Sequence, residues 1–363
     1  MKVVQITPTY FDDASLIGGG ERYPTELARW MANDVDTTLV SFSAERRSYR
    51  QGKLKIEIFP ARHLIHGSRL NPFSFQYLST IIESDVIHVH ALNTVVSDLA
   101  CLMARALGKR VFVTDHGGGG SFVLNQKLPV FRLYTGAIAQ SQFALQHLPK
   151  VLQKKGVVHK GGIDTEKFCP NPALPKEKHI LYVGRIVPHK GINYLIKGFR
   201  LLNRDDYQLR IVGRVYSQEF YHYLKDLADG LSVEFIHDAN DQQVIQAYCK
   251  AKVTVLPSVH NDYHGNHTPV PELMGFTLLE SQACGTPVIC TDAGAMHEFV
   301  EDGRTGLVVK QNSGESIAFA LDQLLQSSLA KYAQYQDHCR KWSSHLSWQT
   351  VVQEHLSIYE SFK

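Results

Sequence analysis

Two carboxylates frame the segment Glu272-Leu-Met-Gly-Phe-Thr-Leu-Leu-Glu280, with seven residues between them. Gly275 and the run after it predict a turn followed by the first residues of a helix. A helix N-terminus presents backbone N–H groups and the positive end of the helix dipole, which suits a diphosphate. Glu280, further into the helix, could accept hydrogen bonds from a ribose diol. Glu272, before the turn, could accept them from sugar hydroxyls.

A surface helix with acidic residues near its start is the alternative, because the helix dipole favours that arrangement by itself. The residues after the segment bear on the choice. The run Ala283-Cys-Gly-Thr-Pro-Val288 predicts that the helix ends at Gly285 and that a strand begins at Pro287. The Gly turn and this exit together favour a nucleotide-binding segment.

Arg185 and Lys190 follow a predicted strand and Gly184. A diphosphate leaving group gains negative charge as its bond to a sugar breaks. Two fixed cations stabilise that charge and can replace a divalent metal, and a guanidinium adds a bidentate fork. Taken alone, these two residues are more typical of a solvated pair at a helix start.

Two glycine clusters, at 18–20 and 117–120, each follow a predicted strand, and glycine lets a backbone approach a ligand closely. Neither cluster reads G-x-G-x-x-G, so a dinucleotide-binding fingerprint is not supported. His116 ends the strand before the second cluster, and Asp115 beside it could orient its ring. A lone histidine at a strand end is also commonly structural.

Histidines at 88 and 90 share one face of a predicted strand, and those at 260, 264 and 267 cluster in a loop. No cysteine or carboxylate lies at matching ligand spacing, so we expect no metal site. The polar loop 261–271 precedes Glu272, and we expect it to shape a sugar pocket.

Short apolar runs alternate with amphipathic segments along the whole chain, which predicts an α/β protein with parallel sheets covered on both faces. Ligands of such sheets bind outside the carboxyl ends of the strands. Glycines and prolines around 160–178 indicate a linker. We therefore predict domains at 1–165 and 166–340, and a C-terminal helix in 341–363 that could cross back to the first domain.

Composition excludes several classes of protein. The 363 residues are 44% hydrophobic and 20% charged, which is typical of a globular chain, and the net charge of +3 is too even for nucleic acid as the main partner. None of the six cysteines forms a C-x-x-C pair, which predicts reduced thiols in a cytoplasmic protein. We see neither a signal-peptide pattern nor an apolar run of about 18 residues.

Residues 45–70 hold seven basic residues against two acidic ones. This segment could dock anionic lipid headgroups at the inner face of a membrane. An ordinary solvated surface explains it equally well.

Residues 251–309 closely resemble the C-terminal domain of the retaining glycosyltransferases of family 4, also called glycosyl transferases group 1. The segment from Glu272 to Glu280 matches the Glu-x7-Glu motif of that family. Residues 180–191 resemble its Gly-Arg…Lys-Gly signature, and residues 162–168 its linker. The N-terminal half matches more weakly.

The resemblance implies a GT-B fold, in which two Rossmann-like domains face each other across a cleft. It also implies transfer of a hexose, with retention of configuration and without a metal or cofactor, from a nucleoside diphosphate sugar to a hydroxyl of a sugar or lipid-linked acceptor. UDP-glucose is the default donor, and surface polysaccharide or glycolipid synthesis the expected setting. Glu272 and His116 are the expected catalytic residues. The expected donor-binding residues are Gly19, Gly20, Arg185, Lys190, Gly275, Phe276, Thr277, Leu278 and Glu280.

Two alternatives stay open. One is a sugar-nucleotide epimerase of the same fold, which needs no acceptor. The other is an inactive subunit that only binds a nucleotide sugar, although the presence of both glutamates with Arg185 and Lys190 speaks against a lost function.

Overall fold

The computed structural model describes residues 1–10, 19–117 and 128–362. It divides the chain into two compact units, Met1–Gly162 with Trp348–Lys363, and Ile163–Ser347. The sequence placed the corresponding boundaries after residues 165 and 340. Gly18 and the glycines at 118–120 lie outside the described residues.

In the described part of the first unit, eight strands form one sheet and two short strands pair separately. The strands are β1 (Lys2–Tyr10), β2 (Asp36–Ser43), β3 (Arg47–Gln51), β4 (Leu54–Pro60), β5 (His63–Leu64), β6 (Pro72–Phe73), β7 (Val86–Val89), β8 (Arg110–Val113), β9 (Gly136–Ala139) and β10 (Gly156–Val158). The order in the large sheet is β10-β9-β8-β7-β1-β2-β4-β3.

The predicted parallel sheet is confirmed in this unit, with one departure. The strand β3, which we did not predict, pairs antiparallel with β4 at the edge of the sheet. Gly52 lies between them with φ +58°, a conformation that favours glycine and allows a tight hairpin turn. All residues of β3 are exposed, so the strand carries none of the apolar alternation by which strands are recognised.

Within residues 1–10, 19–117, 128–162 and 348–362, this unit has six α-helices: α1 (Gly19–Met31), α2 (Leu78–Ile82), α3 (Val95–Ala106), α4 (Gln142–His147), α5 (Lys150–Gln153) and the C-terminal helix named below. Thr94 and Ser141 cap α3 and α4 by accepting hydrogen bonds from Ser97 N–H and Ala144 N–H. Strands β1, β7 and β8 supply the centre of the core, where the side chains of Ile6, Val89 and Val113 are fully buried.

The described second unit contains a six-stranded sheet in which all neighbours are parallel. Its strands are β11 (His179–Val183), β12 (Gln208–Val212), β13 (Val233–Ile236), β14 (Val253–Leu256), β15 (Val288–Thr291) and β16 (Gly306–Val309), in the order β13-β12-β11-β14-β15-β16. Its helices are α6 (Ile192–Leu202), α7 (Gln218–Leu227), α8 (Asp241–Lys250), α9 (Phe276–Ala283), α10 (Gly314–Leu325) and α11 (Leu329–His345). We predicted the first five strands and first four helices of this unit, but not β16, α10 or α11.

The C-terminal helix α12 (Trp348–Ser361) is counted with the first unit. The sequence predicted a C-terminal helix within 341–363; in the structure α11 ends at His345 and α12 begins at Trp348. The Trp348 ring lies so close to Gly162 that a Cβ on that glycine would be 2.6 Å from it. Among the described residues, no helix is long and apolar enough to cross a membrane.

Candidate functional site

Lys190 and Glu272 meet at the carboxyl ends of the strands of the second unit. Lys190 ends a short 3-10 helix, Pro188–Lys190, after β11, and its Nζ donates to Oε1 of Glu272. The Oγ of Ser258, two residues beyond β14, donates to the same oxygen at 3.0 Å. The side chains of Lys190 and Glu272 are only 10% and 12% exposed. The structure thus joins two predicted site residues into one shielded cluster.

Gly191 and Gly294 fix the backbone on either side of this cluster. A Cβ on Gly191 would lie 2.0 Å from the Pro257 carbonyl oxygen, and the φ of +65° also favours glycine. A Cβ on Gly294 would lie 2.5 Å from the Glu272 carbonyl oxygen, which accepts the Ala295 N–H at 3.0 Å. Both close approaches need a residue without a side chain. They hold the loops that carry Lys190 and Glu272 against their neighbours.

Helix α9 begins directly after Gly275, three residues beyond Glu272. It has no capping side chain because its N-cap residue is a glycine, and the Leu278 N–H donates to the Gly275 carbonyl at 2.9 Å. The Thr277 hydroxyl donates to the Val183 carbonyl at 3.1 Å, which ties the first turn of α9 to the end of β11. Gly275, Phe276, Thr277 and Leu278 therefore form a helix N-terminus at the same strand ends as Lys190, an arrangement that suits an anion.

Arg185 also lies at this end of the sheet, one residue after Gly184. Its carbonyl oxygen accepts the Tyr182 hydroxyl at 2.8 Å, which holds its backbone in place. Its side chain is exposed, and the guanidinium carbon lies 5.8 Å from the centre of the Tyr216 ring. The structure therefore leaves the charge of Arg185 at the surface, unlike the shielded charge of Lys190.

Glu280 lies deeper than Glu272. Glu280 belongs to α9 and is buried, and its Oε2 accepts a hydrogen bond from the Tyr248 hydroxyl at 2.9 Å. Tyr248 belongs to α8 and is itself fully buried. The two glutamates therefore have different surroundings, and the role of Glu280 toward a ribose stays a prediction.

The lowered pKa of His189 indicates that this site is shielded from water. Burial, with the charge of neighbouring Lys190, lowers its pKa to about 4, although the Glu272 carboxylate raises it. The ring is therefore neutral at pH 7. Charges inside such a site interact more strongly than they do in water.

His116 lies in the first unit, three residues after β8. Its Nδ1 lies 2.6 Å from the Gln140 side-chain nitrogen, and its Nε2 lies 3.1 Å from Nδ1 of His90. Burial lowers its pKa to about 3. We suggested that Asp115 orients this ring, and that was wrong: Oδ1 of Asp115 accepts the Leu92 N–H at 3.0 Å, while His90 and Gln140 hold the ring.

Gly19 and Gly20, the other predicted donor residues of this unit, are the first residues of α1. The cluster at 117–120 is described only at Gly117, so no contact of that loop with a ligand is assigned.

The predicted basic surface at 45–70 is partly neutralised within the unit. Arg46 and Lys55 both pair with the buried Glu57, and Ser48 donates to it. Although burial raises the pKa of Glu57, its bonds to Lys55 and Arg46 lower that pKa overall. These two cations therefore serve the hairpin of β3 and β4, which reduces the charge available to a membrane.

The histidines considered for a metal have other partners. His88 and His90 are buried and hydrogen-bonded. Nδ1 of His260 lies 3.0 Å from the Thr268 carbonyl oxygen. Nδ1 of His267 lies 2.8 Å from the side-chain oxygen of Asn261. Across residues 1–10, 19–117 and 128–362, no three His, Cys, Asp or Glu residues are grouped so as to hold a metal.

Three residues that bond to the predicted site residues, Ser258, Tyr248 and Gln140, were not predicted from the sequence. Ser258 could have been found, since it lies within residues 251–309, the segment that resembles the C-terminal domain of the family. Tyr248 and Gln140 carry no signal, because each reaches its glutamate or histidine partner only through tertiary packing.

Comparisons with known proteins bear on the family and on the fold. Residues 164–342 match the family Glycosyl transferases group 1, and residues 17–167 match Glycosyltransferase Family 4. An uncharacterized glycosyltransferase of Methanocaldococcus jannaschii is 29% identical over 189 residues, which cover 51% of this chain and 45% of the relative. The chain spans about half the length of the first curated relatives it matches.

A phosphatidyl-myo-inositol mannosyltransferase of Mycolicibacterium smegmatis is 27% identical over 289 residues, covering 76% of this chain and 71% of the relative. The crystal structure of Anabaena HepE in complex with UDP superimposes with a TM-score of 0.77 at 17% identity, over 99% of this chain and 100% of the other. This likeness supports the GT-B fold. The two matches together extend from residue 17 to residue 342, and the chain belongs to the group 1 glycosyltransferases of family 4.

Proposed function

We propose that this protein transfers a sugar from a nucleoside diphosphate sugar to a hydroxyl acceptor. The observation that carries the proposal is the cluster of Lys190, Glu272 and Ser258 beside the N-terminus of α9. It offers a cation and a helix dipole for a diphosphate, next to a carboxylate for sugar hydroxyls.

In this mechanism the donor diphosphate displaces Glu272 as the partner of Lys190. Arg185, Lys190 and the backbone at 276–278 then stabilise the charge that develops on the leaving diphosphate. The released Glu272 accepts hydrogen bonds from the sugar, and His116 orients it. No metal is required, because the two cations and the helix N-terminus supply the positive charge. Glu280 holds the ribose from within α9.

We infer retention of configuration, with the acceptor attacking on the face that the diphosphate leaves. The leaving phosphate assists the acceptor hydroxyl, so this mechanism uses no nucleophile from the protein. A domain that closes over the donor would exclude water and limit hydrolysis.

UDP-glucose is the default donor, and HepE was crystallised with UDP. GDP-mannose is a second candidate donor, favoured by the names of two relatives. One is a phosphatidyl-myo-inositol mannosyltransferase, and the other is described as GDP-mannose-dependent. We propose a sugar or lipid-linked acceptor, in surface polysaccharide or glycolipid synthesis at the cytoplasmic side of a membrane.

Calorimetric titration with UDP and with GDP, in the presence of excess EDTA, tests the donor site. We expect one nucleotide to bind at least tenfold more tightly than the other, and its sugar conjugates to raise the unfolding temperature. Absence of binding by either nucleotide, or binding only after a divalent metal is added, would refute the proposed site.

The epimerase alternative predicts a different product. Incubation with the donor alone should yield no epimerised nucleotide sugar, whereas addition of an acceptor sugar should release the nucleoside diphosphate. Epimerised donor in the absence of acceptor would favour the alternative.

A further inference from the structure

A continuous chain of hydrogen bonds in the first unit links Tyr359 of the C-terminal helix to His116. It passes from Thr114 to His88, Tyr359, Gln5, His90, His116 and Gln140. Tyr359 belongs to α12, more than two hundred residues from every other member. All members are buried except His116, which is half-buried.

The donor and the acceptor of each hydrogen bond in this chain follow from the bonds that Thr114 makes. The Thr114 hydroxyl lies 2.8 Å from the Ile138 carbonyl oxygen, which can only accept, so the hydroxyl donates there. Its oxygen must then accept the proton of His88 Nε2, at 2.8 Å. Burial lowers the pKa of His88 well below its usual value, so the ring is neutral and its Nδ1 is unprotonated.

The next links follow in the same way. The unprotonated Nδ1 of His88 accepts the Tyr359 hydroxyl proton at 2.7 Å. The Tyr359 oxygen accepts from the side-chain nitrogen of Gln5 at 3.4 Å. The Gln5 nitrogen also lies 3.3 Å from the sulfur of Met31, a weak acceptor, which agrees with this orientation of the amide.

The orientation of the Gln5 amide then determines which ring nitrogen carries the proton in His90 and in His116. The side-chain oxygen of Gln5 accepts the Nε2 proton of His90 at 2.6 Å, which leaves Nδ1 of neutral His90 as an acceptor. That nitrogen accepts the Nε2 proton of His116 at 3.1 Å. The Nδ1 of His116 is therefore unprotonated and accepts from Gln140 at 2.6 Å.

We infer that Tyr359 and Thr114 are positioning residues that hold His116 as the neutral tautomer with its proton on Nε2. The C-terminal helix thereby sets which atom of His116 meets a ligand. If His116 contacts a sugar, as the proposed function has it, a hydroxyl of that sugar replaces Gln140 and donates to Nδ1. This last step rests on the proposed function, whereas the tautomer does not.

Nitrogen-15 NMR of the unliganded 363-residue chain tests the inference directly, because it distinguishes protonated from unprotonated ring nitrogens. The His116 signals are assigned by their loss in His116→Asn. We expect only the Nε2-protonated form in the unchanged protein. In Tyr359→Phe and in Thr114→Val, which interrupt the chain, we expect the Nδ1-protonated form to become populated as well.

Two matched variants control for packing. Thr114→Ser keeps the hydroxyl and should restore the single tautomer. Tyr134→Phe removes a buried hydroxyl that donates to the Ser97 carbonyl at 3.3 Å outside the chain, and should leave the His116 tautomer unchanged. A single Nε2 form in folded Tyr359→Phe and Thr114→Val, or an Nδ1-protonated form in the unchanged protein, would overturn the inference.

Activity gives a second, separate readout. Tyr359→Phe should lower kcat for transfer roughly tenfold or more, because a misoriented group near the sugar costs rate, while the affinity for the free nucleoside diphosphate stays unchanged. If the tautomer shifts as expected but the unchanged protein transfers no sugar, the proposed function fails and the positioning of His116 stands.

Discussion

The ammonium of Lys190 donates a hydrogen bond to the carboxylate of Glu272, and both side chains are about nine-tenths shielded from solvent. The sequence assigned these residues to different parts of a donor, the diphosphate and the sugar. Their contact means that each neutralises the other before a ligand arrives. Losing either partner leaves a poorly solvated charge. In the proposed mechanism the donor phosphate replaces Glu272 as the partner of Lys190, and the sugar hydroxyls donate hydrogen bonds to the released Glu272.

Glu272→Gln should abolish transfer while the protein stays folded. The amide keeps the size of the side chain but removes the charge opposite Lys190, so we expect kcat to fall at least a hundredfold and stability to fall by about 1–3 kcal/mol. Transfer assays and urea denaturation measure the two effects. Glu234→Gln, which alters a surface pair with Arg210, is the control. Unchanged turnover in Glu272→Gln would remove this residue from the mechanism.

Arg185→Ala should weaken binding of the free nucleoside diphosphate about tenfold or more, since one charge-assisted hydrogen bond contributes about 1.5–3 kcal/mol. Stability should change little because the side chain is exposed. Titration calorimetry provides the affinity. Arg304→Ala removes another surface arginine of the same unit, 59% exposed, and should bind normally. Equal affinity in the two variants would contradict the diphosphate role.

Tyr248→Phe should destabilise the second unit by about 1–3 kcal/mol, because the buried Glu280 carboxylate loses the hydroxyl that donates to it. If Glu280 holds a ribose, the nucleotide affinity should fall as well. Tyr332→Phe is matched to it, since it removes a hydroxyl that donates to the Lys252 carbonyl at 2.8 Å. A loss of affinity that is equal in both variants would argue for a general packing effect.

Gly191→Ala and Gly230→Ala separate backbone strain from close approach. Both glycines have a positive φ, of +65° and +72°, but a Cβ at 230 meets nothing within 4 Å. We expect Gly230→Ala to cost about 1–2 kcal/mol. Gly191→Ala should cost about 1–3 kcal/mol more and impair nucleotide binding, because the Pro257 carbonyl must move and Lys190 with it. Equal losses of stability would show that the loop has room for a side chain.

Acid should destabilise the first unit before the carboxylates titrate. Burial lowers the pKa of His355 to about 3, and it lowers those of His88 and His90 well below 6.5. Below pH 6.5 the unfolded chain therefore binds protons that the folded unit does not. Stability should be greatest above pH 6.5 and should fall as the pH drops toward 3, by about 1.4 kcal/mol per pH unit for each histidine.

Urea denaturation of Trp342→Phe, at pH values between 7.5 and 4.5, measures this effect. That variant retains Trp30 and Trp348, which both belong to the first unit, as the fluorescent residues. A stability that is independent of pH across this interval would mean that the three rings are protonated or accessible in the folded protein.

The sequence predicted the parallel α/β fold and the family correctly, because both depend on local patterns. Apolar runs such as those of β11 and β14 are continuous where a strand is covered on both faces, and the Glu272–Glu280 segment carries its glycine turn and its exit within a few residues. The strand β3 escaped prediction because its residues are all exposed. The helices α10 and α11 were simply not identified, although α10 has a buried apolar face.

Other features depend on the tertiary structure alone. Residue types and their spacing predicted Arg185, Lys190 and Glu272 as site residues. The pairing of Lys190 with Glu272, however, depends on how three loops meet at the ends of the strands. The link from Tyr359 to His116 joins a C-terminal helix to the centre of an N-terminal sheet. Local sequence encodes the propensity of each element, whereas hydrogen bonds between distant residues exist only after the core has brought their partners together.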